Sequence, residues 1–112
     1  MAAALALALL AAAPASAGYN EGLAAQQKGD LPTAIREFTP LANSGNTLAQ
    51  VRLAEIYFNG GTGVERDIAR GMEWLRKAAK AGNVDAIFFL GQALISGNLG
   101  QTKDIPEGVR WL

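Results

Sequence analysis

Asp30, Asp67 and Asp104 stand 37 residues apart, and many other positions keep the same step. Ala34, Gly71 and Gly108 follow it. Gly45-Asn46 matches Gly82-Asn83, Ala49 matches Ala86, Leu53 matches Leu90, and Trp74-Leu75 matches Trp111-Leu112. Gly60 and Gly63 match Gly97 and Gly100. A period shared by so many positions restricts this chain more than any other feature. Each period has to be one supersecondary unit that buries its apolar face by stacking on a neighbour.

Each unit reads as two helices. The first opens near Tyr19 and breaks at Lys28-Gly29-Asp30; its second helix runs from Leu31 to about Ser44. Asp30 suits the N-cap, where a carboxylate accepts from free backbone N–H groups. Pro32 falls in the first turn, where its missing N–H does no harm. Pro40 predicts a bend or a loosened turn from Thr39 to Leu41. The second unit has a helix from Leu48 to Phe58 and another capped by Asp67 and running to Ala81, with Gly82 as the left-handed residue after it. Ile68, Met72, Leu75 and Ala79 recur at helical spacing and form its apolar stripe. The third unit has a helix from Val84 to about Ser96 and one starting at Asp104, where Asp104 and Glu107 have capping-box spacing. Units two and three carry five more residues between their helices than unit one. This inserted stretch holds Gly60, Gly61 and Gly63, then Gly97 and Gly100, and Val64 is expected to tuck back onto the helix pair.

The pattern from Ala49 to Gly82 is Ala-x3-Leu-Ala-x2-Tyr-x2-Gly-x2-Gly-Val-x2-Asp-x3-Gly-x2-Trp-Leu-x-Lys-Ala-Ala-x2-Gly. It resembles the Sel-one-like repeat, the longer-looped relative of the tetratricopeptide repeat. Residues 18–46, with the short Gly29-Asp30-Leu31 turn, are closer to an ordinary tetratricopeptide unit. Residues 47–83 form the complete Sel-one-like unit, and 84–112 a truncated one. The resemblance implies an all-α fold: a right-handed α-solenoid of helix-turn-helix repeats, about two and a half of them, acting as a protein-binding scaffold. Gly71 and Gly108 stand where the family usually has alanine. Glycine there lowers helix propensity by about 1 kcal/mol and admits a closer helix approach. The sequence stops at Trp111-Leu112, inside a helix and before any Lys-Ala-Ala-x2-Gly, and this predicts a fragment of a longer array.

Residues 1–17 carry no charged side chain and run from Met1 through Ala13 to Pro14-Ala15-Ser16-Ala17. The apolar part is shorter than the roughly 20 residues that span a bilayer. It has the length of a signal-peptide core, with Ala15-Ser16-Ala17 as a small-x-small cleavage site, though without a basic n-region. Residues 1–17 are therefore expected to be a signal peptide. The mature chain would then be periplasmic or secreted by a bacterium, with no membrane insertion after cleavage.

Composition excludes several kinds of chemistry. Ten basic and ten acidic side chains balance to zero, so there is no electrostatic footprint for nucleic acid. No histidine is present, which removes the commonest general base and metal ligand together. No cysteine is present either, so there is no disulfide and no thiolate. No catalytic, cofactor or metal site is expected, and the chain is not read as an enzyme. Disulfide-stapled members of the family that bind or hydrolyse β-lactams carry paired cysteines that this chain lacks. The Gly60-Gly61-Thr62-Gly63 run is not a phosphate cradle, because a helix precedes it and Val64-Glu65 follows where a P-loop needs Lys-Ser/Thr.

One site remains. On a tetratricopeptide frame, Leu48, Val51, Glu55, Phe58 and Asn59, with Asp85, Phe88, Gln92 and Ile95, point to the concave side. Val51, Glu55, Phe58, Phe88 and Gln92 are the candidate groove for a partner protein or peptide. Trp74, Trp111 and Tyr57 are read as packing residues, and Glu73 with Lys77 as an i, i+4 pair on a solvated face.

Overall fold

The computed structural model describes residues 17–97 and 104–112. The leader up to Ser16 and the Gly100-Gln101 stretch lie outside the described residues. Six helices follow in order: α1 (Ala17–Lys28), α2 (Leu31–Asn43), α3 (Thr47–Asn59), α4 (Ile68–Lys80), α5 (Val84–Ser96) and α6 (Ile105–Trp111). Among the described residues there is no strand, only an isolated bridge between Gly61 and Val64. Each helix packs mainly on its neighbours in sequence, as a helical solenoid requires.

The three tight joints share one device. Gly29, Gly45 and Gly82 have φ of 82°, 99° and 92°, a left-handed conformation that glycine adopts without a Cβ penalty. At each joint the next residue donates its N–H back to a carbonyl five residues earlier: Asp30 to Ala25, Asn46 to Leu41, Asn83 to Ala78. That same residue caps the following helix, its side chain accepting from the N–H of Thr33, Ala49 or Ala86. One residue thus closes one helix and opens the next, which fixes an antiparallel turn of two residues after α1 and of three after α2 and α4.

The long loop is built differently. Gly60 N–H donates to Ile56 O at 2.8 Å, and Asp67 N–H to Tyr57 O at 2.7 Å. The same two bonds recur 37 residues later, Gly97 to Ala93 and Asp104 to Leu94. Val64, expected on the α3–α4 pair that its loop joins, packs instead on the apolar cluster that α2 forms with α1 and α3. A Cβ at Gly60 would lie 2.7 Å from the backbone nitrogen of Arg66. The glycines therefore let a compact spacer form between the two helices.

Two apolar clusters lie between successive layers. In the first, Ala34, Phe38 and Ala42 of α2 meet Ala25 of α1 and Ala49, Leu53 and Ile56 of α3. In the second, Met72, Leu75, Ala78 and Ala79 of α4 meet Ala54 of α3 and Ala86, Leu90 and Leu94 of α5. Trp74 packs against both clusters and Trp111 against the second, so Trp74 joins the two layers. Lys77 Nζ lies 4.7 Å from the centre of the Trp74 ring. Among the described residues no ion pair joins it to Glu73, so that part of the sequence reading is corrected: the ring face lies one turn back and takes the ammonium first.

Two further expectations are corrected. The helix does not loosen at Thr39–Leu41 but runs through Pro40 to Asn43. Arg36 and Pro40 are exposed, so water reaches the carbonyl that proline leaves without a donor. The next bonds, from Ser44 N–H to Pro40 O and Leu41 O, are intact. At α6 only half of the capping box forms. Asp104 accepts from Glu107 N–H, but Asp104 N–H goes to Leu94 O. The Glu107 carboxylate instead meets Arg76 Nη1 of α4 at 2.6 Å, linking the second helices of adjacent repeats.

This ion pair gives a pH-dependent prediction. Hydrogen bonding from Arg76 lowers the Glu107 pKa below the usual carboxylate value. A depressed folded-state pKa contributes stability that is complete above the unfolded pKa and is lost as the pH falls through the folded one. Glu107→Gln is therefore expected to destabilise the chain at pH 7, by no more than about 1 kcal/mol for so accessible a pair. The gap in melting temperature should close below about pH 4; one that persisted unchanged into acid would contradict the pairing.

The glycines on α4 and α6 admit close approach. A Cβ at Gly71 would meet the Phe58 ring at 2.5 Å, and one at Gly108 would lie 2.8 Å from Gly91 O and 2.6 Å from Ile95 Cγ1. Alanine at Gly108 would gain about 1 kcal/mol of helix propensity but would force two backbones apart, at about 1–3 kcal/mol. Gly108→Ala is expected to lower the melting temperature, and a rise would show that α5 and α6 are not in backbone contact.

Candidate functional site: a groove between the first helices of two repeats

The inner faces of α3 and α5 enclose a groove of about 320 Å³. Val51, Ala54, Glu55, Phe58 and Asn59 of α3 form one wall, Phe89, Gln92 and Ala93 of α5 the other, and Leu75 of α4 closes the floor. Helical periodicity brings them together: Val51, Ala54, Glu55 and Phe58 fall on one face at i, i+3, i+4 and i+7. Phe58 is held by its contact with Gly71, so the small residue on α4 sets the position of the aromatic wall.

Four of the five residues expected in the groove line it: Val51, Glu55, Phe58 and Gln92. Phe88 does not, and Phe89 takes its place. Both phenylalanines are more than half exposed, and they touch edge to face with centroids 6.0 Å apart. One residue is a rotation of about 100° on a helix, enough to move Phe88 off the wall. The repeat itself carried the signal. Phe89 occupies the place of Arg52, which reaches back to the preceding unit, whereas Phe88 occupies that of Val51, which packs against the following core. Ala54, Leu75 and Ala93 were also missed, being small or buried residues that form the floor. Asn59 lines the groove as expected, while Leu48, Asp85 and Ile95 do not.

Glu55 is not a free acid. Its Oε2 accepts from Arg52 Nη1 at 3.3 Å and from Gln26 Nε2 of α1 at 3.2 Å. Arg52 Nε also donates to the Tyr19 hydroxyl at 3.3 Å. That bond is the main reason the Arg52 pKa lies above its ordinary value, with burial opposing and Glu55 reinforcing. Through Glu55, the groove wall is thus tied to a linked Tyr19–Arg52–Glu55–Gln26 set of fixed donors and acceptors. Among the described residues no cluster of three or more acidic side chains could hold a metal, and no helix is long and apolar enough to cross a membrane.

A family model described as Sel1 repeat matches residues 47–83 and 84–112. Among solved structures, a Sel1 repeat protein from Oxalobacter formigenes is similar, with 29% sequence identity and a TM-score of 0.65. The match covers 70% of this chain and 31% of that one, so the chain spans less than a third of the other protein's length in the match. No curated protein matches the chain.

Proposed function

Because the chain belongs to the Sel1 repeat family, we propose that it is an exported, non-catalytic scaffold whose α3–α5 groove holds a segment of a partner protein. The groove composition carries this reading. Val51, Ala54, Phe58, Leu75, Phe89 and Ala93 offer apolar surface, and Glu55, Asn59 and Gln92 offer hydrogen bonds along it. Apolar pockets beside fixed polar groups are what an extended peptide or an amphipathic helix needs for affinity and register. Two aromatic rings on opposite walls are the natural anchors. Export rests on the uncharged residues 1–17 and the Ala15-Ser16-Ala17 site.

The groove is tested with a peptide selected from a random display library against the full chain. Phe58→Ala and Phe89→Ala are each expected to weaken that peptide at least tenfold, or about 1.4 kcal/mol, while Phe88→Ala leaves the affinity within twofold. Equal affinity in all three variants would discard the groove. Turnover of a chromogenic β-lactam surviving extensive purification would overturn the non-catalytic reading. Export is tested separately by fusing residues 1–17 to a reporter that is active only outside the cytoplasm.

A further inference from the structure

The clefts between the second helices of neighbouring repeats are closed differently. Between α4 and α6, Arg76 Nη1 meets the Glu107 carboxylate at 2.6 Å. The same carboxylate is a hydrogen-bond partner of the Trp111 side chain, whose one donor is the indole N–H. One repeat earlier the places of Arg76, Glu107 and Trp111 belong to Thr39, Arg70 and Trp74. A guanidinium thus stands where the next repeat has its carboxylate. Across from it is a threonine whose hydroxyl donates to Ile35 O at 2.6 Å.

Between α2 and α4 this exchange leaves an open cleft of about 250 Å³, lined by Thr39, Tyr57, Arg70, Glu73, Trp74 and Lys77. Arg70 lies over the Tyr57 ring at 5.2 Å, and its ion-pair partner Asp67 is 3.9 Å away, in the adjoining depression. Lys77 Nζ stands 4.7 Å from the centre of the Trp74 ring. Among the described residues nothing accepts from the Trp74 indole N–H, and that group is not buried. Arg70 and Lys77 outweigh Glu73 on the lining by a single positive charge. The cleft is therefore suited to a monoanion, and Glu73 opposes a dianion such as phosphate.

We propose that the α2–α4 cleft is a binding site for a carboxylate, which takes the place that Glu107 fills in the next repeat. Arg70 supplies a planar guanidinium that matches the carboxylate fork. Lys77 adds a second cation, and Trp74 its indole N–H. The cleft shares no lining residue with the α3–α5 groove, so the two sites are tested independently.

The chain has two tryptophans, so its indole N–H signals in a heteronuclear NMR spectrum can be told apart with Trp111→Phe. Sodium acetate and the peptide acetyl-Gly-Glu-Gly-amide are each titrated into the full chain at constant ionic strength. Both are expected to move the Trp74 signal to saturation and to leave that of Trp111 in place. Arg70→Gln and Lys77→Gln should each weaken binding at least threefold, and Glu73→Gln should tighten it. All three positions are exposed, so circular dichroism should show the variants folded. Thr39→Arg combined with Arg70→Glu rebuilds the pair of the next repeat. It should move the Trp74 signal in the same direction without ligand and abolish binding. Tighter binding of the peptide assigns the carboxylate to a protein side chain, and tighter binding of acetate to a free acid. A Trp74 signal that stays in place would overturn the proposal. So would one that moves equally with chloride or with the glutamine version of the peptide, or a half-saturation point unchanged by Arg70→Gln.

Discussion

Phe38→Ala is expected to destabilise the chain by about 3–5 kcal/mol. Phe38 is fully buried where α2 meets α1 and α3, and its ring packs against the backbone of Gly22, where a Cβ would come within 2.6 Å of it. With Tyr19 tilted against it at 5.6 Å between centroids, no neighbour can collapse into the cavity without moving a helix. For a domain of this size each kcal/mol shifts the melting temperature by about 4–8 °C, so the loss approaches the whole stability of a typical small domain. Thermal unfolding followed by circular dichroism checks it, with the exposed Phe88→Ala as a control expected within about 0.5 kcal/mol of the unchanged protein. A loss below about 1 kcal/mol at Phe38 would mean that the first cluster is not the core of the α1–α2–α3 layer.

Trp74→Ala is expected to cost a comparable amount and to change the shape of unfolding as well. In a stack where each unit touches only its neighbours, cooperativity resides in the interfaces. Trp74 packs against both apolar clusters, so its removal weakens the link between layers as well as the layers themselves. Urea unfolding should then separate into two steps, or lose slope, because less surface is exposed in each cooperative event. Trp111 fluorescence, reporting on the second cluster, should no longer coincide with the ellipticity of the whole chain. Coincident transitions of undiminished slope would show that the layers are coupled elsewhere.

The features legible in the sequence were local ones. Glycine followed by aspartate or asparagine announced each joint because positive φ and side-chain capping are properties of two or three adjacent residues. The 37-residue step announced the stack because equivalent residues make equivalent bonds, as the Gly60–Ile56 and Gly97–Ala93 pairs do. The errors arose where a side chain chooses between a local and a distant partner. Glu107 has capping-box spacing, yet Arg76, 31 residues upstream, holds its carboxylate. Lys77 has Glu73 one turn away, yet lies over Trp74. Phe88 and Phe89 differ by one step around α5, and the repeat register, which sets Phe89 at the place of Arg52, tells them apart once α3 is known to lie on the side of the preceding unit. Gly71 could be noticed as an exception to the family pattern, but its role in seating Phe58 depends on how α3 and α4 cross.

The central claim is that the concave α3–α5 surface is the part of this repeat stack that receives a partner. Amide and methyl chemical-shift mapping of the full chain, titrated with the selected peptide, tests it most directly. The account predicts the largest perturbations at Val51, Phe58, Leu75, Phe89 and Gln92, with Glu55 and Arg52 following as their shared hydrogen bonds adjust. Perturbations centred instead on the opposite surface, at Arg36, Glu73 and Lys80, would contradict it.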